Sequence, residues 1–138
     1  MAFVHGKSAV FKIDNAGGGS LTDISTYVDS VEGLPGEREI ADVTTLGQTG
    51  HKSVPGLVNG TFTIGGPWDA TLDAIMGVLQ VATATATFEH GPAGSTTGLV
   101  RYTGECWVTS YTVSTPVGDK VSWTASVQVD GAVTRNTF

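Results

Sequence analysis

Cysteine is almost missing from this chain: Cys106 is alone among 138 residues. One thiol cannot close an internal disulfide, so nothing in the sequence calls for an oxidising compartment. Its place in a run of β-formers points to a structural thiol rather than a nucleophile. Charge is scarce too, at 14 % where globular chains average about 25 %. What charge there is leans acidic, with a net −6 and only seven Lys and Arg. That balance argues against binding nucleic acid by neutralising phosphates, though not against repelling it. No run of about 20 apolar residues is long enough to span a membrane, and no N-terminal apolar run resembles a signal peptide. The expectation is a chain made and kept in a cytoplasm, with no membrane partner.

Motifs of catalysis are equally thin. Gly6-Lys7-Ser8 has the end of a phosphate loop, but that loop needs a glycine where Met1 stands. His5, His51 and His90 are dispersed, without the paired spacing of a metal site. No G-x-S-x-G elbow is present. Asn59-Gly60-Thr61 is a glycosylation sequon only by letter in a chain that is not secreted. The paired carboxylates Glu37 and Glu39 fall in an irregular stretch where loop charges are usually just solvated. No catalytic residue, metal or cofactor is expected.

What the chain does have is β-pattern and turns. It is 40 % hydrophobic with 19 Gly, which suits a single, turn-rich, mainly β domain over residues 1–138, long enough to bury a core without staples. It also suits a subunit largely covered by neighbours. The clearest pattern runs from Arg101 to Asp130. Val121, Trp123, Ala125, Val127 and Val129 alternate with Ser122, Thr124, Ser126, Gln128 and Asp130, the period of a half-buried strand. Upstream, Trp107, Thr109, Tyr111 and Val113 alternate with Cys106, Val108, Ser110, Thr112 and Ser114. Thr115-Pro116-Val117-Gly118-Asp119 carries turn chemistry between the arms. Pairing 115 with 119 sets Tyr111 opposite Trp123, with Trp107 also buried; a bulge would shift that register.

The wet face of this hairpin is nearly all Ser, Thr and Gln, without the Lys and Glu of an ordinary exposed strand. It reads either as plain outer surface or as a wall that meets something specific, lining a passage or pairing with another subunit.

Elsewhere, Ser8 to Ile13 reads as a strand, followed by a turn from Asp14 to Ser20. Thr26 to about Glu32 reads as a second strand after a turn at Asp23 to Ser25. Residues 33–56 are irregular and rich in Gly and Pro. Their scattered Ile40, Val43, Leu46 and Val54 make too little core to pack alone, so the stretch is read as an extended arm, or loose hairpin, that packs on another copy. Leu57 to Ile64 is a strand. Asp69 caps a helix to Gln80, with Leu72, Ile75, Met76 and Leu79 on one stripe and Gly77 attributed to close helix-to-sheet packing. Val81 to His90 is a strand, Gly104 a bulge candidate, and the tail after Gly131 short and polar.

Several short series, in order, resemble one family. They are Asp23-Ile24-Ser25 with Tyr27 and Val31, Arg38 through Gly47, Lys52, Pro55-Gly56-Leu57, Trp68-Asp69 opening a helix, Gly104-Glu105-Cys106-Trp107, and Ser122-Trp123-Thr124-Ala125. Together they resemble the major tail proteins of long non-contractile-tailed bacteriophages. The resemblance implies a mainly β sandwich or partial barrel of roughly seven strands, with one flanking α-helix and a long extended loop. It implies a structural protein that self-assembles into six-membered rings stacked as a tail tube. Its partners would be itself, tail-end and tape-measure-type proteins, and DNA as passing cargo, in a virion tail assembled in a bacterial cytoplasm. Within it, Glu37, Arg38, Glu39, Asp42, Leu46 and Lys52 would form a ring-stacking arm. Ser110, Thr112, Ser122, Thr124 and Ser126 would face the lumen. The competing classes are a monomeric β-sandwich that binds carbohydrate or protein through an aromatic-lined cleft, and a small hydrolase with clustered titratable groups.

Overall fold

A computed structural model describes residues 3–15 and 20–138, so the centre of the expected turn after Asp14 lies outside the described residues. Among the described residues the chain forms β1 (Val10–Asp14), β2 (Leu21–Asp23), β3 (Ser30–Glu32), β4 (Glu37–Asp42), β5 (Ser53–Asn59), β6 (Thr61–Pro67), α1 (Ala70–Gln80), β7 (Ala86–Gly91), β8 (Val100–Ser114) and β9 (Ser122–Thr137). Seven strands make one antiparallel sheet in the order β2-β1-β7-β8-β9-β6-β3, while β4 and β5 pair only with each other. This is the expected mainly β architecture with one helix.

The sheet curls over its core because the chain between its two edge strands bridges back across it. Ile24 donates its amide to the Phe11 carbonyl at 3.1 Å, the Phe11 amide donates to Ser25 Oγ at 2.9 Å, and the Asp29 amide donates to Gly65 at 2.8 Å. A 3₁₀ turn, Ser25–Tyr27, therefore spans from β1 to β6. The strand expected from Thr26 is cut to its last three residues, since this turn supplies the backbone bonds a ladder would otherwise give. Gly66 makes the approach possible: a Cβ there would collide with the Tyr27 carbonyl.

The core joins Phe11 and Ile13 of β1, Phe62 and Ile64 of β6, Phe88 of β7, and Trp123, Ala125, Val127 and Val129 of β9. Phe62 has ring centroids 5.9 Å from Phe11 and 5.0 Å from Phe88, within the range where tilted aromatic pairs are favourable. Helix α1 adds Leu72, Ile75, Met76 and Leu79, the stripe its periodicity predicts, and Asp69 caps it by accepting the Thr71 amide at 2.9 Å. Gly77 is not a packing glycine: a Cβ there meets nothing within 4 Å. Trp68 and Asp73 tie the helix to β8, Trp68 Nε1 donating to the Tyr111 hydroxyl at 3.0 Å and that hydroxyl donating to Asp73 at 2.8 Å.

The long hairpin departs from its expected register. Its last pair is Ser114 with Ser122, so residues 115–121 form the loop and Val113, not Tyr111, stands opposite Trp123. The longer loop sets the register at that end, and a bulge between Val108 and Ser110 shifts it again farther from the turn. One extra residue reverses which side every later side chain takes. Cys106 and Val108 therefore point into the core, and so does Tyr111 beyond the bulge, 6.2 Å from the Trp123 ring on the diagonal. Trp107, expected in the core, is instead on the outer face and 36 % exposed. Gly104 sits at a second irregularity, as expected, where a Cβ would press on the Ala132 carbonyl and the Phe88 ring. The stretch after Gly131 is no loose tail, because Thr134 to Thr137 pair with Val100 to Thr103.

Two further boundaries move. The strand expected over Leu57 to Ile64 breaks at Gly60, where a Cβ would lie 3.0 Å from Val129, giving β5 to the arm and β6 to the sheet. The strand expected from Val81 begins only at Ala86. Cys106 is buried, and burial pushes its thiol up to about 12, the behaviour of a structural cysteine.

Candidate assembly surfaces

The outer face of β6, β9 and β8 is set by alternation with buried neighbours. Phe62 and Ile64 point inward on β6, and Trp123, Ala125 and Val127 on β9, so Thr61, Thr63, Ser122, Thr124 and Ser126 point out. Antiparallel register then brings the five residues of the predicted hydroxyl face together: Ser110 faces Ser126, Thr112 faces Thr124, and Ser114 faces Ser122. On the other side Thr63 faces Ser126 and Thr61 faces Gln128. Three threonine hydroxyls on or beside this face are tied to the sheet itself. Thr112 donates to the Thr124 carbonyl at 3.3 Å, Thr109 to the Ser126 carbonyl at 3.1 Å, and Thr61 to Gln128 Oε1 at 3.4 Å. A short hydroxyl satisfied in this way presents methyl and methylene surface with little free hydrogen-bonding capacity.

The cations lie off the paired residues, though Lys120 borders the face at its loop end, lining one concavity with Thr63, Ser122 and Thr124. Lys7 is in a 3₁₀ turn, Lys12 on β1, Arg38 on β4, Lys52 before β5, Lys120 in the β8–β9 loop, and Arg135 near the end of β9. Arg101 is held by Glu89 at 3.1 Å. None of the seven stands among the paired residues of the hydroxyl face. At its far end Glu105 faces Asp130 directly, a like-charge pair that costs stability unless other bonds offset it. Glu105 has such bonds, accepting from Thr85 at 3.2 Å and Thr87 at 2.6 Å. The face is therefore neutral in its middle and negative at one end. Gln128, read on the wet face from the alternation of β9, belongs to it, and so do Thr61 and Thr63, which went unnamed although alternation on β6 was there to find them. Trp107 also belongs to it, facing Gln128, and only the bulge reveals this.

The second surface is the arm, a two-stranded hairpin of β4 and β5 that carries all six predicted arm residues. Glu37, Arg38 and Glu39 lie along β4, Asp42 ends it, Leu46 is at the tip, and Lys52 precedes β5. The pairing extends one step beyond Asp42 through the Val43 amide, which donates to the Lys52 carbonyl at 2.9 Å. Asp42 organises the tip: its carboxylate accepts the Thr44 amide at 2.9 Å and lies 3.6 Å from His51 Nδ1. The Thr44 hydroxyl and amide hold its carboxyl below the usual range. Apolar side chains line the arm without cover, with Ile40 67 %, Leu57 80 % and Leu46 102 % exposed. Two strands alone bury too little apolar surface to hold themselves, and exposed apolar patches commonly mark interaction sites.

A groove of 490 Å³ opens between the start of β1 and β3, lined by Val4, Val10, Val28, Val31, Asp29 and Glu32 with His90 at its wall. His90 is held by a 3.1 Å hydrogen bond between its Nδ1 and the Val10 carbonyl, and burial pushes its pKa down. Among the described residues no group of three or more His, Cys, Asp or Glu is placed to hold a metal ion. Among the same residues no helix is long and apolar enough to cross a membrane.

No protein-family model matches the chain, and no curated protein sequence does. Solved structures do match. A chain in the virion of a native gene transfer agent particle superposes with a TM-score of 0.76 at 17 % identity, over 96 % of this chain and 98 % of that one. A chain in the tail of an empty gene transfer agent particle, refined with C6 symmetry, gives 0.75 at 16 % identity over 96 % and 98 %. The SPP1 tail tube gives 0.70 at 16 % identity over 98 % of this chain and 80 % of that one. The fold of this chain is the fold of those subunits.

Proposed function

We propose that this chain is a tail-tube subunit, a structural and non-catalytic protein that assembles into stacked rings, six-membered by analogy, through which DNA passes. The observation that carries the reading is the fold shared with tail and tail-tube chains over nearly the full length of this chain. The paired residues of the hydroxyl face support it, carrying no Lys or Arg among them and only Lys120 at their loop edge, since a wall for passing DNA must not grip phosphates. One chain of 138 residues cannot enclose a duplex, because even about 16 to 18 strands give only a porin-sized channel. Copies that each lend a few strands to a shared barrel can. In that arrangement Ser110, Thr112, Ser122, Thr124 and Ser126 line the lumen, and the arm bearing Glu37, Arg38, Glu39, Asp42, Leu46 and Lys52 reaches a neighbouring copy.

Its partners are then further copies of itself, the proteins that cap the tube ends, and a tape-measure-type protein inside it. Its place is the virion tail, after assembly in the host cytoplasm. The competing reading, a monomeric binding module, needs an aromatic-lined cleft. Trp123 is buried, Trp68 is bonded to Tyr111, Trp107 stands on the outer sheet face, and the groove beside β1 has rings only from the buried Phe11 and from His90 among its valines, small residues and carboxylates. Electron microscopy of the concentrated protein tests the proposal. Tubes or ring stacks are expected, and a protein that stays monomeric at every concentration would overturn it.

A further inference from the structure

The arm and the groove answer each other in shape and charge. The groove offers valines at positions 4, 10, 28 and 31, rimmed by the exposed carboxylates of Asp29 and Glu32. The arm ends in a fully exposed Leu46, with the cation Lys52 just before the returning strand and the carboxylate of Asp42, occupied by Thr44 and His51, across from it. Neither has a partner of its kind among the described residues. They also stand in a fixed relation, for the chain leaves the groove at Glu32 and enters the arm at Glu37. The six residues of β4 then carry the tip about 20 Å away. The tip cannot reach its own groove unless the hairpin folds back on itself. Displacing a second copy by the same distance brings that copy's groove to the tip, and repeating the step gives a head-to-tail contact that propagates.

Resting on the tube reading above, we propose that the groove between β1 and β3 receives the arm tip of another copy, with Leu46 seated among Val10, Val28 and Val31 and Lys52 paired with Asp29 and Glu32. The occupant is a second copy of this chain because the tip is the matching apolar knob with an adjacent cation. The contact is heterologous, so it leaves a free tip at one end of an assembly and a free groove at the other.

Two experiments on the full chain test it. In the first, Leu46→Cys and Val31→Cys are combined and assembled protein is oxidised. Cys106 does not compete, being buried. A ladder of covalent oligomers on a non-reducing gel is expected, with each single variant failing to give one. In the second, Lys52→Glu alone, and Asp29→Lys with Glu32→Lys, should each raise the concentration needed for assembly about tenfold or more, and all three changes together should restore it. Tubes that form normally without the ladder, or that are indifferent to the charge reversals, overturn the groove assignment and leave the tube reading standing. A wild-type protein that never assembles overturns both.

Discussion

Replacing Trp123 by alanine removes the largest fully buried side chain of the core, 1 % exposed. Three losses combine. The ring leaves a void beneath Gly65 and Gly66, against which β9 packs on β6, and large aromatic-to-alanine changes in cores cost about 3 to 5 kcal/mol. The Tyr27 carbonyl loses the indole donor it now has at 2.8 Å, and an acceptor stripped of its partner costs about 1 to 3 kcal/mol unless water reaches it. The Tyr111 ring loses its neighbour at 6.2 Å. Because the empty site admits water to Tyr27, the terms overlap, and a total of about 4 kcal/mol is expected. Unfolding entropy of about 2.1 cal/mol/K per residue is about 0.29 kcal/mol/K for 138 residues, so the melting temperature should fall by about 14 °C. Trp107→Ala is the matched control. Its ring lies outside the bulge on the exposed face, and a loss under about 1 kcal/mol is expected. Chemical denaturation of both variants with unchanged m-values reads the difference. Equal losses, or a larger one at Trp107, would refute the bulge-based assignment of faces.

Four other outcomes follow from the structure. Thr124→Lys with Ser126→Lys puts two cations per copy against a duplex carrying about one charge per 1.7 Å of axis; ejection from assembled particles should slow in low salt and recover as salt shortens the Debye length below about 8 Å, and wild-type rates in low salt would place this face on the outside. Deleting Asp42 to Lys52 should leave a folded monomer that does not polymerise, since the arm contributes nothing to the core; tubes of normal length would refute its role. Gly77→Ala should raise stability by about 0.5 to 1 kcal/mol, because the site has room for a methyl group, and destabilisation on melting would show that the room is illusory. Tyr111 has its phenol pushed up to about 12, first by burial and then by its bond to Asp73. A raised folded pKa gives stability that is full below the unfolded value of about 10 and is lost as pH climbs through the folded one. Stability should therefore fall between these values, and less steeply in Asp73→Asn; a phenolate signal appearing near the ordinary tyrosine range in the folded protein would contradict this.

Much of this protein is local and therefore legible in its residues. Alternation fixes which side chains of β9 are buried, and helical spacing and the Asp69 cap fix α1. The hydroxyl face was legible for the same reason, since Ser122, Thr124 and Ser126 alternate with core residues whatever the partner strand does. What escaped was non-local. Thr109 looks like any other strand residue, and only its pairing with β9 makes it the bulge that turns Trp107 outward and keeps Tyr111 in. Gly60 divides the arm from the sheet because Val129, distant in sequence, crosses beside it. Gly131 resembles a strand end, yet β9 continues past it because Val100 to Thr103 are there to pair with. Periodicity reports how a strand divides its own side chains between two faces. Register, bulges and strand ends are decided by hydrogen bonds to another segment, so the tertiary structure alone could set them.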